Sequence, residues 1–175
     1  MKLETFVPDM YQKSIYTIDY QKLKNKGIKC ILLDLNNTSV ATTIKEPTEK
    51  LINLVDELKY MGFKVILFSN DSKRRLEPFK TKLMIDCCAY ANKPRKDKFL
   101  KVLKIFNYNL SEVAIIGDQL YTDILGGNTV GITTILVNPV SHIDEFHTRI
   151  LRYFERRKMA KLNKYGYFKK GKYYD

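Results

Sequence analysis

The stretch that decides the fold is ILLDLNNTSV, residues 31–40. Its apolar start ends abruptly at the acid Asp34, and small polar residues follow. This pattern is typical of a buried parallel strand that ends at a functional loop. Ligands of open α/β sheets bind outside the carboxyl ends of the strands, so Asp34 is a candidate for chemistry. Taken alone, Asp34 is explained equally well as a turn former or a helix cap.

Two later apolar runs, residues 65–68 and 113–116, repeat the pattern and also end in polar clusters. The polar residues that follow them, with one lysine between the two clusters, are Ser69, Asn70, Asp71, Lys93, Asp118 and Asp123. Each cluster by itself has a simpler explanation, as a turn, a helix cap or a solvated basic patch. The three clusters together, in this order, favour a functional site.

Helical patterns alternate with the strand-like runs, which predicts βαβ units and a parallel sheet. Residues 1–16 show no clear periodicity, and we expect them to wrap around the domain. The predicted helices cover residues 18–26, 48–61, 73–83, 97–106 and 121–125 and start again at 143, and further strands cover 87–90 and 133–137. Pro78 is expected to start or kink its helix near Glu77, and Gly126-Gly127 to end the helix before them. Leu100 is expected to face inward, and Phe154 to lie on the apolar face of the helix that starts at 143.

The composition is that of one ordinary globular domain of 175 residues, except for a net charge of +12. This charge points to anionic partners. Three cysteines, two of them adjacent, favour a reducing compartment over a disulfide framework, and the N-terminus lacks the apolar core of a signal peptide. We therefore expect a cytoplasmic protein.

A basic tail, about residues 156–175, has eight lysines or arginines between 156 and 172, no acid there, and several tyrosines. The simpler explanation is a solvated, partly disordered segment. The functional hypothesis is contact with an anionic membrane surface, which would make the protein peripheral at the membrane, with RNA as the runner-up.

The order and spacing of the clusters resemble the haloacid dehalogenase (HAD) superfamily of phosphotransferases. Its four motifs correspond here to residues 34–38, Ser69, Lys93, and Asp118 with Asp123. Residues 8–16 and 117–128 are similar to the YqeG-type branch of subclass IIIA phosphatases. The resemblance implies a three-layer α/β sandwich around a mostly parallel, Rossmann-like sheet, and it covers the chain from about residue 8 to residue 157.

The resemblance also implies roles for the motif residues. Asp34 would attack phosphorus and form an aspartyl phosphate, while Lys93, Ser69 and Asn70 would bind the phosphoryl group. Mg²⁺ would be held by Asp34, the backbone carbonyl of Asn36 and Asp118, and Asp123 would orient this shell or help to hold the metal.

Asn36 departs from the Asp-x-Asp pattern of the family's first motif. The acid at this position protonates the leaving group and then activates water, and an amide does neither. The sequence leaves four interpretations open: a slow phosphatase, one specialised for good leaving groups, a phosphate-binding pseudoenzyme, or a sequence altered at this position. If only this proton shuttle is lost, Asn36→Asp should raise the turnover of alkyl phosphates at least about tenfold.

The spacing between the motifs leaves no room for an inserted cap domain. We therefore expect an open site suited to a bulky phosphate ester, such as phosphatidylglycerophosphate, on which some relatives of this branch act, or a cap supplied by another subunit. The leading prediction is a Mg²⁺-dependent phosphatase. The alternative is a catalytically weak protein that binds phosphorylated or nucleic-acid partners.

Overall fold

A six-stranded sheet forms the centre of the protein, in a computed structural model that describes residues 2–141 and 146–175. The strand order is β1-β6-β5-β2-β3-β4, and every pairing between these strands is parallel. The strands are β1 (Met10–Gln12), β2 (Cys30–Leu33), β3 (Lys64–Phe68), β4 (Asp86–Cys88), β5 (Val113–Gly117) and β6 (Thr133–Val137). The predicted α/β fold is confirmed, and the sheet is parallel throughout. Strand β2 lies between β3 and β5, so the three strands that precede the polar clusters are neighbours.

Helices cover both faces of the sheet. They are α1 (Tyr20–Asn25), α2 (Glu49–Tyr60), α3 (Lys73–Leu83), α4 (Lys96–Phe106), α5 (Leu125–Val130) and α6 (Phe146–Lys164). Alternate side chains of the fully buried β2 point to opposite faces. Ile31 and Leu33 join the core formed with α1, α2 and α3, whereas Leu32 packs with α4 on the other side. The segments from β2 to β3 and from β3 to β4 each contain a single helix, which confirms that the chain has no inserted cap domain.

The N-terminal segment corrects one prediction, since it contributes strand β1 at the edge of the sheet. Met10 and Tyr11 are buried and pair with Ile135 and Leu136 of β6. A strand of three residues is too short to show the alternation by which strands are recognised in a sequence.

Gly126 and Gly127 do not end a helix but lie inside α5, which ends before Gly131 at a φ of 93°. A Cβ atom on Gly127 would lie 2.5 Å from Thr134 Cγ2 and 2.7 Å from Ile115 Cγ2. Gly127 is therefore needed where the helix packs closely against the sheet, and Gly126 lies against Phe99 of α4, which a Cβ atom would approach to 3.0 Å. The prediction that the two glycines stop the helix was wrong.

Smaller predictions about the helices have mixed outcomes. Helix α3 runs from Lys73 to Leu83 as predicted, capped by the Ser72 hydroxyl, and it continues through Pro78, so the alternative start near Glu77 is wrong. Leu100 was expected inside but is 49% exposed. The predicted helix start at residue 143 lies outside the described residues.

The basic tail packs onto the edge of the sheet, in contrast to the partly disordered segment considered above. Phe168 is only 3% exposed, and its ring centroid lies 4.8 Å from that of Tyr11. Tyr174 and Tyr11 exchange two backbone hydrogen bonds of 2.8 and 2.9 Å. Helices in the described ranges are all too short or too polar to cross a membrane.

Truncating Phe168 tests whether the tail is part of the fold. We expect Phe168→Ala to lower the free energy of unfolding by about 3 kcal/mol, because a buried aromatic side chain is lost and a cavity remains. Tyr165→Ala, at a 64% exposed tyrosine of the same tail, should change it by less than about 0.5 kcal/mol. Urea denaturation of both variants measures the difference, and equal small effects would show that the tail contributes no core.

Candidate active site

Three acids meet at the carboxyl edge of the sheet. Asp34 directly follows β2 and donates its backbone N–H to Ile116 of β5 (3.0 Å), while Asp118 follows β5 itself. Asp123 lies in a wide, π-type helical turn, Leu120–Ile124, after β5. One carboxylate oxygen of each acid lies within 4.8 Å of the others, and all three residues are buried. The sheet topology thus brings together acids that are far apart in the sequence.

Lys93 lies against two of these acids. Its Nζ donates to Asp34 Oδ1 and Asp123 Oδ1, each at 2.6 Å, and to the Phe68 carbonyl at 2.9 Å. Burial lowers the pKa of Lys93, but the charges of Asp123 and Asp34 outweigh this effect and raise it above its ordinary value. Lys93 is therefore a fixed cation beside Asp34.

The cluster carries more negative than positive charge, since one ammonium faces three carboxylates. Burial, followed by the charges of Asp34 and Asp118, raises the pKa of Asp123 to about 7, although Lys93 opposes this rise. Closely spaced carboxylate oxygens with surplus negative charge are the donor set that Mg²⁺ prefers. The residues present therefore fit a divalent cation.

Two small residues allow the acids to come this close. The Thr38 hydroxyl lies 3.1 Å from Asp34 Oδ2 and 2.9 Å from Asp118 Oδ1, so it can donate to either acid. A Cβ atom on Gly117 would lie 2.1 Å from the Asp123 carboxyl carbon, which leaves only glycine at this position. Gly117 thus lets the Asp123 turn fold back over the end of β5.

The other two predicted phosphate-binding residues, Ser69 and Asn70, have different surroundings. Ser69 is buried, and its hydroxyl donates to Asp71 Oδ2 at 2.7 Å. Asn70 accepts the Lys93 backbone N–H (2.7 Å) and donates to the Lys93 carbonyl (3.3 Å), so it fixes the backbone of the lysine. Binding of substrate by either residue stays a prediction.

Asn36 belongs to a polar group that the sequence did not reveal. Its amide nitrogen donates to the Asp71 carboxylate, at 3.0 and 2.9 Å from the two oxygens, and its amide oxygen accepts from Arg75 Nη2 at 2.9 Å. In the sequence, Asp71 is marked as a site candidate only by its position in the polar cluster after β3. Arg75 lies in the first turn of α3, and no feature of the sequence marks it as part of the site.

The comparisons with known proteins agree with this geometry. The family model for haloacid dehalogenase-like hydrolases matches residues 3–131, most of the chain and all of the motif residues. The chain belongs to the HAD-like hydrolases. Within this family it belongs to the YqeG type, since it is 39% identical over 162 residues to "Probable phosphatase YqeG" of Bacillus subtilis, covering 93% of this chain and 94% of that protein.

More distant HAD relatives extend the comparison. The chain is 28% identical over 170 residues to phosphatidylglycerophosphate phosphatase 1, chloroplastic/mitochondrial, of Arabidopsis thaliana. That alignment covers 91% of this chain but only 48% of the plant protein. Among solved structures, the cobalt-bound deoxy-D-mannose-octulosonate 8-phosphate phosphatase of Haemophilus influenzae superposes with a TM-score of 0.55 at 14% identity. The superposition covers 81% of this chain and 95% of the Haemophilus influenzae protein, and it supports the fold alone.

Enlarging Gly117 tests the acid cluster as a cation site. We expect Gly117→Ala to weaken Mg²⁺ binding by about 10–100-fold, because the new methyl group displaces Asp123. Calorimetric titration of the protein with Mg²⁺ measures the change. Gly127→Ala is the matched control, since its methyl group clashes with Thr134 and Ile115 and should lower the melting temperature without changing Mg²⁺ affinity. Unchanged affinity in Gly117→Ala would remove Asp123 from the cation site.

Proposed function

We propose that the protein is a Mg²⁺-dependent phosphatase that acts through an aspartyl phosphate on Asp34. The observation that carries the proposal is the position of Asp34 at the end of β2, bonded to the buried cation Lys93 and next to Asp118 and Asp123. A carboxylate beside a fixed ammonium and a cation-binding set is equipped to attack an anionic phosphoryl group.

Each residue of the site has a separate role in the proposed reaction. Asp34 attacks phosphorus with one carboxylate oxygen, while the Lys93 ammonium faces the charge that develops on the phosphoryl oxygens. Ser69 and Asn70, at the end of β3, line the side of the site where these oxygens would bind. Thr38 holds Asp34 and Asp118 in position through its hydroxyl.

Asp34, Asp118, Asp123 and the backbone carbonyl of Asn36 would hold the Mg²⁺. When bound, the ion would neutralise the surplus charge of the acids and polarise the phosphoryl group.

We propose a bulky phosphate ester as the substrate, with phosphatidylglycerophosphate as the first candidate. Without a cap domain, a large substrate has to exclude water with its own body. A cavity of about 140 Å³ opens beside Asp118 and is lined by Tyr11, Arg156 and Lys170. These two cations would suit a second, phosphodiester group of the same lipid, and the name of the plant relative supports this substrate class.

We propose that the basic tail brings the protein to an anionic membrane surface. Residues 156–175 expose cations, of which Arg156 and Lys170 line the cavity, and tyrosines, and these supply the charge and the rings that such surfaces attract. A cytoplasmic protein that binds peripherally to the membrane would meet its substrate there. RNA remains the second candidate for this surface, since cations and rings also bind single strands.

Replacing the nucleophile tests the enzymatic function. Asp34→Asn should abolish Mg²⁺-dependent hydrolysis of an aryl phosphate, because an amide does not form the aspartyl phosphate, while circular dichroism shows a folded protein. Asp97→Asn, at an exposed acid of α4, is the control and should keep full activity. Parent protein without turnover on any phosphate ester would favour the alternative, a phosphate-binding protein of the HAD fold.

Neutralising the cavity tests the substrate class. The double variant Arg156→Gln/Lys170→Gln should raise KM for phosphatidylglycerophosphate in vesicles at least about tenfold, since each basic residue contributes about 1 kcal/mol at an anionic surface. Its KM for glycerol 3-phosphate, which has no second phosphate, should stay within about twofold. Lys24→Gln/Lys26→Gln, two exposed lysines at the end of α1, is the charge-matched control. Equal effects on both substrates would reject a lipid site in this cavity.

A further inference from the structure

The Asn36 side chain is held in one orientation by charged partners on two sides. Its oxygen accepts from Arg75 Nη2 at 2.9 Å, so its nitrogen faces the Asp71 carboxylate and lies 3.0 and 2.9 Å from the two oxygens. Asn36 stands where HAD phosphatases carry the acid that transfers protons. The Asp71 carboxylate therefore lies one hydrogen bond beyond the position at which the family normally carries its proton-transferring acid.

The Asp71 carboxylate is not used to stabilise the start of α3. The helix cap is Ser72, whose hydroxyl accepts the backbone N–H of Arg75 at 3.3 Å. Asp71 instead turns toward the site, where it accepts from Ser69 (2.7 Å) and from Asn36. Tyr90 holds its backbone by donating to the Asp71 carbonyl at 2.9 Å. The carboxyl group thus has a fixed direction that the local turn does not require.

The carboxylate of Asp71 is more accessible than the three buried acids of the site. The residue is half-buried, as is Asn36, whereas Asp34, Asp118 and Asp123 are buried. Both of its side-chain partners, Ser69 and Asn36, are neutral donors. Asp71 forms no ion pair with a lysine or arginine in the described part of the chain, unlike Asp34 and Asp123, which are bonded to Lys93.

We propose that Asp71 is the general acid and base of this phosphatase, in place of the acid that Asn36 has replaced. The inference rests on the proposed function. In the first step an Asp34 oxygen bonds to phosphorus, the bond from phosphorus to the ester oxygen breaks, and that oxygen takes the proton of the Asp71 carboxyl group to leave as an alcohol. In the second step Asp71 takes a proton from water, whose oxygen attacks phosphorus. The Asp34 carboxylate and inorganic phosphate are released, and Asp71 is protonated again.

Asn36 and Asp71 form an acid–amide pair that can be exchanged. In the double variant Asn36→Asp/Asp71→Asn, the hydrogen bond between the two side chains is kept, with the donor and the acceptor reversed. The acid then faces Arg75 and stands at the usual position of the family. The single change Asn36→Asp places two carboxylates in contact instead and adds no function that Asp71 lacks.

The test compares turnover by four variants on an alkyl phosphate, whose leaving group needs a proton, and on an aryl phosphate, whose leaving group does not. We expect Asp71→Asn to lower kcat on the alkyl phosphate at least about 100-fold and kcat on the aryl phosphate by a smaller factor. The exchanged double variant should regain at least about tenfold over Asp71→Asn on the alkyl phosphate, and Asn36→Asp should gain less than about twofold over the parent. Asp9→Asn is the control at the opposite end of the sheet, where Asp9 accepts from the Thr134 backbone and hydroxyl, and it should keep parent kcat values.

Several outcomes would overturn the assignment. Equal losses on the two substrates in Asp71→Asn, or no loss, would leave Asp71 a structural residue. A gain of about tenfold or more in Asn36→Asp alone would show that the parent lacks a proton shuttle, and an inactive but folded double variant would reject the exchange. Parent protein without turnover on either substrate overturns the phosphatase function itself, which separates that failure from the failure of Asp71.

Discussion

The ion pairs of Lys93 are the interaction on which the site depends. Its ammonium joins the loop after β2, through Asp34, to the turn after β5, through Asp123, and also binds the last carbonyl of β3. Breaking a buried ion pair from one side typically costs about 3–5 kcal/mol, because a buried charge is left without its partner. Other features serve this arrangement: Gly117 makes room for Asp123, Asn70 fixes the backbone of Lys93, and Thr38 spaces Asp34 from Asp118.

The central sheet and its acids were predictable because one physical pattern marks them all. A parallel strand buried on both faces is a continuous apolar run, and the first polar residue after it lies at the edge where the site forms. Asp34, Ser69 and Asp118 each follow such a run. Lys93 and Asp123 do not directly follow one and were placed by their resemblance to the HAD motifs.

What the sequence did not reveal depends on contacts between distant segments. Strand β1 exists because β6 and the tail bury Tyr11 from both sides, and a three-residue pattern does not predict that burial. Gly126 and Gly127 were interpreted as a helix end because glycine commonly ends helices, whereas the structure places Gly127 close against the sheet and Gly126 against Phe99 of α4. The pairing of Asn36 with Asp71 joins two loops and is likewise invisible before the fold is known. The departure from the family pattern at Asn36 is better understood as part of a pair than as a single loss.

The antiparallel contact between Tyr11 and Tyr174 has a consequence for how the protein is made. Strand β1 is an edge strand, and an uncovered edge presents unpaired backbone groups that can join the edge of another molecule. On the ribosome, β1 emerges long before residues 168–174, which supply its cover. During synthesis the nascent chain therefore passes through a stage in which the edge of β1 is uncovered. In that stage, chains synthesised close together on one mRNA associate more readily through this edge. This stage ends when the tail is synthesised and pairs with β1. The segment that carries the positive charge therefore also protects the edge of the sheet from other chains.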